Sequence, residues 1–412
     1  MSKRTIILPT LEPWQLDAYK DIEKSLGTGQ IFSVVAKRQV GKSILAEVLL
    51  IKFCLEHSGS TSIMVEPTQA QCRRCFKQIL RMLKGSRTIL SSNSTLLNIE
   101  FVNGAEIQFK SAEQDDALRG MTVDRGILVI DEAAFISDEI IDIILPCVDA
   151  TNSPVLYIST PLFESGRFYE MYKEGLDGNN PIAHSYNWSN YDTSKFLTKE
   201  KLEFYKKTVA PNRFISEYLG LFIKEGSYIF GEFKKLIREF NPNPPVYGGI
   251  DWGSGLSNDY TVLTLLDKEG NMTHQFRFND IEPTEQIEKL VEIIKSFPTL
   301  KQIFVEHNSI GAVYYDMLKK RLQGLTVKAF VTTNESKRRV IEQLILAFDK
   351  QEIHLLDIFE NTHELQNYAM QKTGKNGYTY NGINGVHDDC VISLALAYEA
   401  FKKKPTSIVV TR

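Results

Sequence analysis

The chain has 412 residues, 43% of them hydrophobic and 24% charged, with 48 Lys and Arg against 51 Asp and Glu. At roughly 100–200 residues per domain it has room for two to four folded domains, and this composition excludes a disordered, collagen-like or simple coiled-coil protein. A formal charge of −3 excludes a uniformly basic nucleic-acid glove, so any grip on DNA must come from local patches.

The first apolar run, Ile6-Ile7-Leu8 before Pro9, is far short of the about 7–15 residues of a secretory leader. No stretch approaches the roughly 20 apolar residues of a membrane span. Five scattered cysteines read as reduced thiols of a cytosolic protein, and Cys72 and Cys75, with no second pair at zinc spacing, as an ordinary helical pair. Residues 31–35 predict a buried strand, followed by a Gly-Lys-Ser turn and a helix over about 43–56. Residues 62–65, 127–130 and 155–158 predict further strands, and 69–83 a helix. Buried strands alternating with helices indicate a parallel sheet. Residues of about 175–232 read as a smaller, mostly helical and aromatic subdomain. The run Phe240-Asn241-Pro242-Asn243-Pro244-Pro245 can continue neither a helix nor a central strand and reads as an interdomain linker. Beyond it a second α/β unit is expected. Its strands fall at 246–250, 261–266, 272–278 and 302–305, the first three as a meander, and its helices at 284–296, 340–348 and 388–401.

Two constellations carry chemistry. Ala36-Lys37-Arg38-Gln39-Val40-Gly41-Lys42-Ser43 fits the phosphate-binding loop G-x-x-x-x-G-K-[ST] except at Ala36. Backbone N–H groups at a helix start cradle phosphates, Lys42 reaches the β/γ phosphates and Ser43 holds Mg²⁺. The strand ending in Asp131-Glu132 supplies the second half: Asp131 for the metal and Glu132 as general base on water. Gln15 stands where an amide can read an adenine edge, Thr160 in Ser159-Thr160-Pro161 where a hydroxyl can sense the γ-phosphate. Arg38 and Arg119 are alternatives for the arginine that neutralises transition-state charge. In the second half Asp251 and Glu306 end strands, and Asp388 and Asp389 open the last helix. Carboxylates converging on a sheet edge suit two Mg²⁺ or Mn²⁺ ions about 3.5–4 Å apart. His307 and His387 flank these acids. The stretch 371–380, with Asn376-Gly377 at a tight turn, reads as a basic aromatic hairpin; Lys337-Arg338-Arg339 is a second basic cluster and Lys402-Lys403-Lys404 a third.

Taken together, K-R-Q-V-G-K-S at 37–43, L-R-G at 118–120, I-L-V-I-D-E-A at 127–133, Y-I-S-T-P at 157–161 and F-I-S-E-Y-L at 214–219, then G-I-D-W-G at 249–253, V-E-H-N at 305–308 and H-D-D at 387–389, resemble the large subunit of a tailed-bacteriophage terminase. That resemblance implies a P-loop (ASCE) ATPase core over 1–175 and a helical lid over 176–238. After a linker at 239–246 it implies an RNase H-like nuclease over 247–404, with a tail at 405–412. It implies ATP with Mg²⁺ in the first site and Asp251, Glu306 and Asp389 as nuclease metal ligands, with Asp388 as alternate. Arg38 would act in the ATPase site, Arg119 would reach a neighbouring subunit, and Ser159-Thr160-Pro161 would couple hydrolysis to movement. The implied partners are duplex DNA, a portal and procapsid, a small terminase subunit and further copies in a five-membered ring, with no membrane. The setting is the cytoplasm of an infected bacterium, not the mature virion. A helicase or repair ATPase fused to a nuclease is the alternative.

Overall fold

The structure, a computed structural model, describes residues 6–113, 118–178, 180–193, 195–224, 226, 229–253, 260–279, 281–308, 310–373 and 377–403. The chain forms two compact units. One comprises Met1–Lys207, Pro211–Glu225 and Lys372–Tyr378; the other Thr208–Ala210, Gly226–Gln371 and Thr379–Arg412.

The first unit is built on eight strands: β1 (Ile31–Val35), β2 (Thr61–Glu66), β3 (Ile89–Asn93), β4 (Asn98–Phe101), β5 (Glu106–Ser111), β6 (Leu128–Asp131), β7 (Val155–Ser159) and β8 (Ala183–Asn187). Their order in the sheet is β3-β4-β5-β2-β6-β7-β1-β8. The apolar runs of β6 and β7 are buried at every position, the pattern of parallel strands covered on both faces. Helices α1 (Pro13–Glu23), α2 (Lys42–Glu56) and α3 (Gln69–Met82) pack into one core with Phe32, Leu49 and Ile79. On the other face Val35, Ile63, Ile130 and Tyr157 pack with Ile141 and Phe168. Strand β7 lies between β1 and β6 and runs parallel to both, with Val35 opposite Ser159 and Asp131 opposite Ile158. The carboxyl ends of all three therefore meet at one sheet edge, where α/β folds place ligands.

Two features differ from the sequence expectation. The antiparallel β3-β4-β5 edge is marked only by short alternation, buried at every second residue of β5. And the stretch expected as a helical subdomain contributes β8, paired in parallel with β1. Its tyrosine and tryptophan, Tyr186 and Trp188, join the main core, which overrides the local helical appearance.

The second unit has a five-stranded sheet: β9 (Tyr247–Asp251), β10 (Thr261–Leu266), β11 (Met272–Phe278), β12 (Gln302–Glu306) and β13 (Thr326–Phe330), ordered β11-β10-β9-β12-β13. The first three form the expected antiparallel meander, and β9, β12 and β13 are parallel. Helices α4 (Pro283–Lys295) and α5 (Ile310–Arg321) lie in order along the chain before α6 (Asn334–Asp349), α7 (Phe359–Gln366) and α8 (Asp389–Lys402). Helix α6 starts earlier than its apolar pattern because Thr333 and Ser336 form a capping box. Helix α8 is pressed onto β9 at Gly249, where an added Cβ would sit 2.2 Å from Ala397 N and Ser393 O. The proline-rich run belongs to this unit: the amides of Asn241 and Asn243 each donate to the Asp267 carboxylate at 3.0 Å. Asp251 and Glu306 end neighbouring parallel strands, so they share a sheet edge.

Candidate functional site

Between β1 and α2 the backbone turns through left-handed conformations at Gln39 (φ 62°) and Gly41 (φ 89°). Gly41 is needed twice: for that φ, and because a Cβ would lie 2.5 Å from Gln15 Nε2. Helix α2 then starts with no side-chain cap, leaving its first N–H groups and the positive end of its dipole for an anion. Helix α1 braces the loop. Trp14 Nε1 donates to Val40 O (3.1 Å) and Gln15 Nε2 to Gly41 O (2.7 Å), while Gln15 Oε1 accepts from Glu12 N (2.6 Å). Gln15 is thus buried with both ends of its amide engaged, placed on the loop's backbone.

Lys42 is buried, its Nζ 3.6 Å from Glu132 Oε1 and donating to Lys37 O at 3.4 Å. Ser43 Oγ donates to Asp131 Oδ2 at 3.1 Å. Glu132 sits in a left-handed conformation just past β6, and its Oε2 accepts from Thr160 Oγ1 (3.2 Å) and Ser159 Oγ (3.3 Å) at the end of β7. Burial and neighbouring Glu132 push the Asp131 carboxyl up to about 6, against the pull of Lys42 and Ser43. Loop, acid pair and Thr160 are therefore brought together. The two arginines are not at this cluster: Arg38 pairs with Glu217 (2.8 Å), and Arg119 is exposed on the turn closed by Gly120.

Sequence reasoning missed a buried layer behind Asp131. Glu66 ends β2, and the Cys75 thiol donates to its Oε1 at 2.9 Å. Glu66, Cys75 and Asp131 each offer an atom within 4.8 Å of the others. Burial, then Asp131, pushes Glu66 up, and does the same to Glu47, to about 8. The available signal was Glu66 itself, an acid ending an apolar strand just as Asp131 does.

In the second unit Asp251 is buried, and that burial, then Glu306 and Asp389, pushes its carboxyl far above the ordinary range. Asp389 Oδ2 accepts from Tyr260 N at 3.3 Å. Asp388 is held differently: Lys337 Nζ donates to its Oδ2 and to Asn381 Oδ1, both at 2.8 Å. Both Asp389 and Asp388 add to the upward push on the Asp251 carboxyl, Asp389 more than Asp388. His307 packs its ring on Tyr315 and His387 lies 6.4 Å from the Tyr260 ring. Of the basic clusters, Lys337 serves Asp388 and Arg339 pairs with the buried Glu399 (2.8 Å), so that cluster is largely used inside the fold. Of the turn expected at Asn376-Gly377, Asn376 lies outside the described residues, as does the tail from 404, and Gly377 has a left-handed φ of 84°; Tyr368–Lys372 and Tyr378–Gly382 form a two-stranded ribbon.

Family models match both halves: "Terminase large subunit, T4likevirus-type, N-terminal" over residues 34–235 and "Terminase RNaseH-like domain" over 248–401. The chain belongs to the terminase large-subunit family. It is a DNA-packaging motor subunit with an ATPase and a nuclease domain in one chain. The large terminase subunits of Thermus phage G20c and Thermus virus P23-45 are each 23% identical to it, over 89% of this chain and 84% of theirs. Among solved structures, a large terminase from a thermophilic bacteriophage superposes with a TM-score of 0.63, at 15% identity, over 95% of this chain and 99% of that one. The same bacteriophage protein in complex with ADP gives 0.62 at 16% identity, over 96% and 100%. At these identities the superpositions establish the shared fold.

Proposed function

We propose that Lys42, Ser43, Asp131 and Glu132 form the ATPase site and Asp251, Glu306 and Asp389 the nuclease site of this terminase. We further propose that ATP hydrolysis moves duplex DNA into a procapsid while the nuclease cuts concatemeric DNA at initiation and termination. The single observation carrying this is that each half of the chain gathers its motif residues at the carboxyl ends of parallel strands: the loop after β1, Asp131-Glu132 after β6 and Thr160 after β7 in the first, Asp251 and Glu306 after β9 and β12 in the second.

The ATPase residues fit nucleotide with Mg²⁺: the loop precedes an uncapped helix, and Ser43 and Asp131 already touch. Lys42 would hold the β/γ phosphates, and Glu132 would take the proton of the attacking water at its carboxylate. Because Glu132 Oε2 is hydrogen-bonded to Thr160, loss of the γ-phosphate is felt at the end of β7, a route from chemistry to movement. Gln15 and residues 37–41 complete this site, with Arg38 or Arg119 supplying the arginine once a neighbouring subunit or a closed lid brings one in. The thermophilic bacteriophage's large terminase has been solved in complex with ADP, consistent with this use.

The nuclease residues fit hard divalent cations, since the donors are carboxylate oxygens and Asp251 is pressed by the like charges of Glu306, Asp389 and Asp388. When bound, two Mg²⁺ or Mn²⁺ ions supply an activated water and charge for the leaving oxygen. Asp251, Glu306 and Asp389 would hold them, with Asp388 as an extra acceptor. The domains are assigned as an ATPase core over 1–175 that also takes in β8, a lid formed by the rest of 176–238, and a nuclease over 247–404. The partners are the portal and procapsid, the small subunit and further copies in a ring of five, in the host cytoplasm. No helix among the described residues is long and apolar enough to cross a membrane.

The deciding experiment measures ATP turnover with and without portal-bearing procapsids. Stimulation by procapsids with DNA uptake is expected. Turnover driven by DNA alone, with strand separation, would instead favour a helicase–nuclease.

A further inference from the structure

An α-helix leaves its first N–H groups without intrahelical partners, and the N-cap side chain usually accepts from those at N2 and N3. For α8 the N-cap is Asp388, a residue type well suited to the task, yet it makes no side-chain cap. Its carboxylate is instead held by Lys337. The two orphan groups, Cys390 N and Val391 N, donate to Glu364 Oε2 on α7, at 2.7 and 3.3 Å. Glu364 is 2% exposed, so this is a buried cap supplied from another helix.

The same carboxylate is tied to Asp389 by a second route. Arg277 on β11 has Nη2 4.0 Å from Glu364 Oε1, and its guanidinium carbon lies 3.3 Å from the centre of the Tyr260 ring. The backbone N–H of Tyr260 donates to Asp389 Oδ2. Glu364 thus fixes the backbone just after Asp389, while Arg277, held between Glu364 and Tyr260, fixes the residue whose N–H binds the Asp389 side chain.

We propose that Glu364 is a positioning residue of the nuclease, capping α8 in place of Asp388 so that Asp389 stays aimed at Asp251 and Asp388 stays with Lys337. Without Glu364, Asp388 is the nearest acceptor for the bare N–H groups. Turning back onto its own helix, it would release Lys337 and rotate the first turn that carries Asp389. The inference rests on the reading of Asp389 as a metal ligand.

Two conservative variants of the full chain separate cap from charge. Glu364→Gln keeps an acceptor oxygen at the same reach and loses the charge. Glu364→Asp keeps the charge and is one methylene too short to reach both N–H groups. Mn²⁺ binding is measured by electron paramagnetic resonance without nucleotide, with Asp251→Ala marking the binding that belongs to this site. Hydrogen exchange at Cys390 and Val391 is followed in parallel without metal. Glu364→Asp is expected to weaken Mn²⁺ binding by about 10–100-fold, the usual cost of losing an outer-shell partner, and to speed exchange at both amides. Glu364→Gln is expected to stay within a few-fold of wild type on both readouts. The reverse order, or unchanged exchange in Glu364→Asp, overturns the cap. If wild type and Asp251→Ala bind Mn²⁺ alike while exchange follows the expected order, the metal reading fails and the cap stands as purely structural, which also overturns the positioning role.

Discussion

The two acidic sites of this chain are balanced in opposite ways. At the ATPase site the buried Asp131 is opposed by Glu132 but relieved by Lys42, Ser43 and a backbone N–H, and its proton affinity ends only moderately raised, at about 6. At the nuclease site the leading influences on Asp251, burial and the neighbouring Glu306 and Asp389, all push the same way. Lys337, the cation hydrogen-bonded there, is spent on Asp388. One site carries its counter-charge in the fold; in the proposed nuclease site that charge would come from divalent cations. The first is ordered before its ligand arrives, and the second is under repulsion until it is metallated.

The largest test of this contrast is Lys42→Ala. It removes the built-in counter-charge and is expected to cut ATP turnover by at least about 10²–10³-fold, with metal-dependent plasmid cutting unchanged. Equal loss of both activities would mean the two sites do not function separately. Next, Asp389→Asn should lower DNA cutting by more than the about 10–100-fold typical of an outer-shell residue, whereas Asp388→Asn should stay within that range. The opposite ranking would move the ligand role to Asp388. A third test is stability. Adding Mn²⁺ at 100 times its dissociation constant should stabilise wild type by about 2.7 kcal/mol, seen as a higher Tm, and should do nothing for Asp251→Ala.

The smallest effect is in pH. A carboxyl whose folded proton affinity is raised binds its proton more tightly folded than unfolded, so stability falls as pH rises from the unfolded value of about 3.9 through the folded one. For Asp131 that window closes near 6; Asp251, raised well above its ordinary value, adds to the same downward slope with rising pH. Metal-free Tm should therefore fall less steeply with rising pH in Asp251→Asn than in wild type, by about 2–4 °C for each kcal/mol recovered. A metal-free profile with the same slope in Asp251→Asn as in wild type would remove the strain assigned to the nuclease acids.

Much of the chemistry was legible because it lies where strands end. Asp131, Asp251 and Glu306 each close an apolar run, and the Gly41-Lys42-Ser43 turn sits between a strand and a helix, so local pattern and site coincide. What stayed hidden was set by distant packing. Glu364 lies mid-helix and is a helix cap only because α7 meets the start of α8. Glu66 joins Asp131 only because β2 pairs with β6. Lys337 looked like part of a surface basic cluster until α6 aimed it at Asp388. The strand β8 was hidden in an aromatic, polar stretch whose membership in the sheet is decided by its pairing with β1.

Gly249 gives the metal site its dimension. Helix α8 rests on the backbone of β9 at Gly249, where Ser393 Oγ donates to the Gly249 carbonyl at 2.9 Å, and Asp389 and Asp251 ride on these two elements. A single methyl at position 249 would lever the helix outward and carry Asp389 with it. The spacing between two of the proposed metal ligands is thus gauged by a residue that contributes no atoms to the site, and its tolerance is that of helix α8 seated on the backbone of β9.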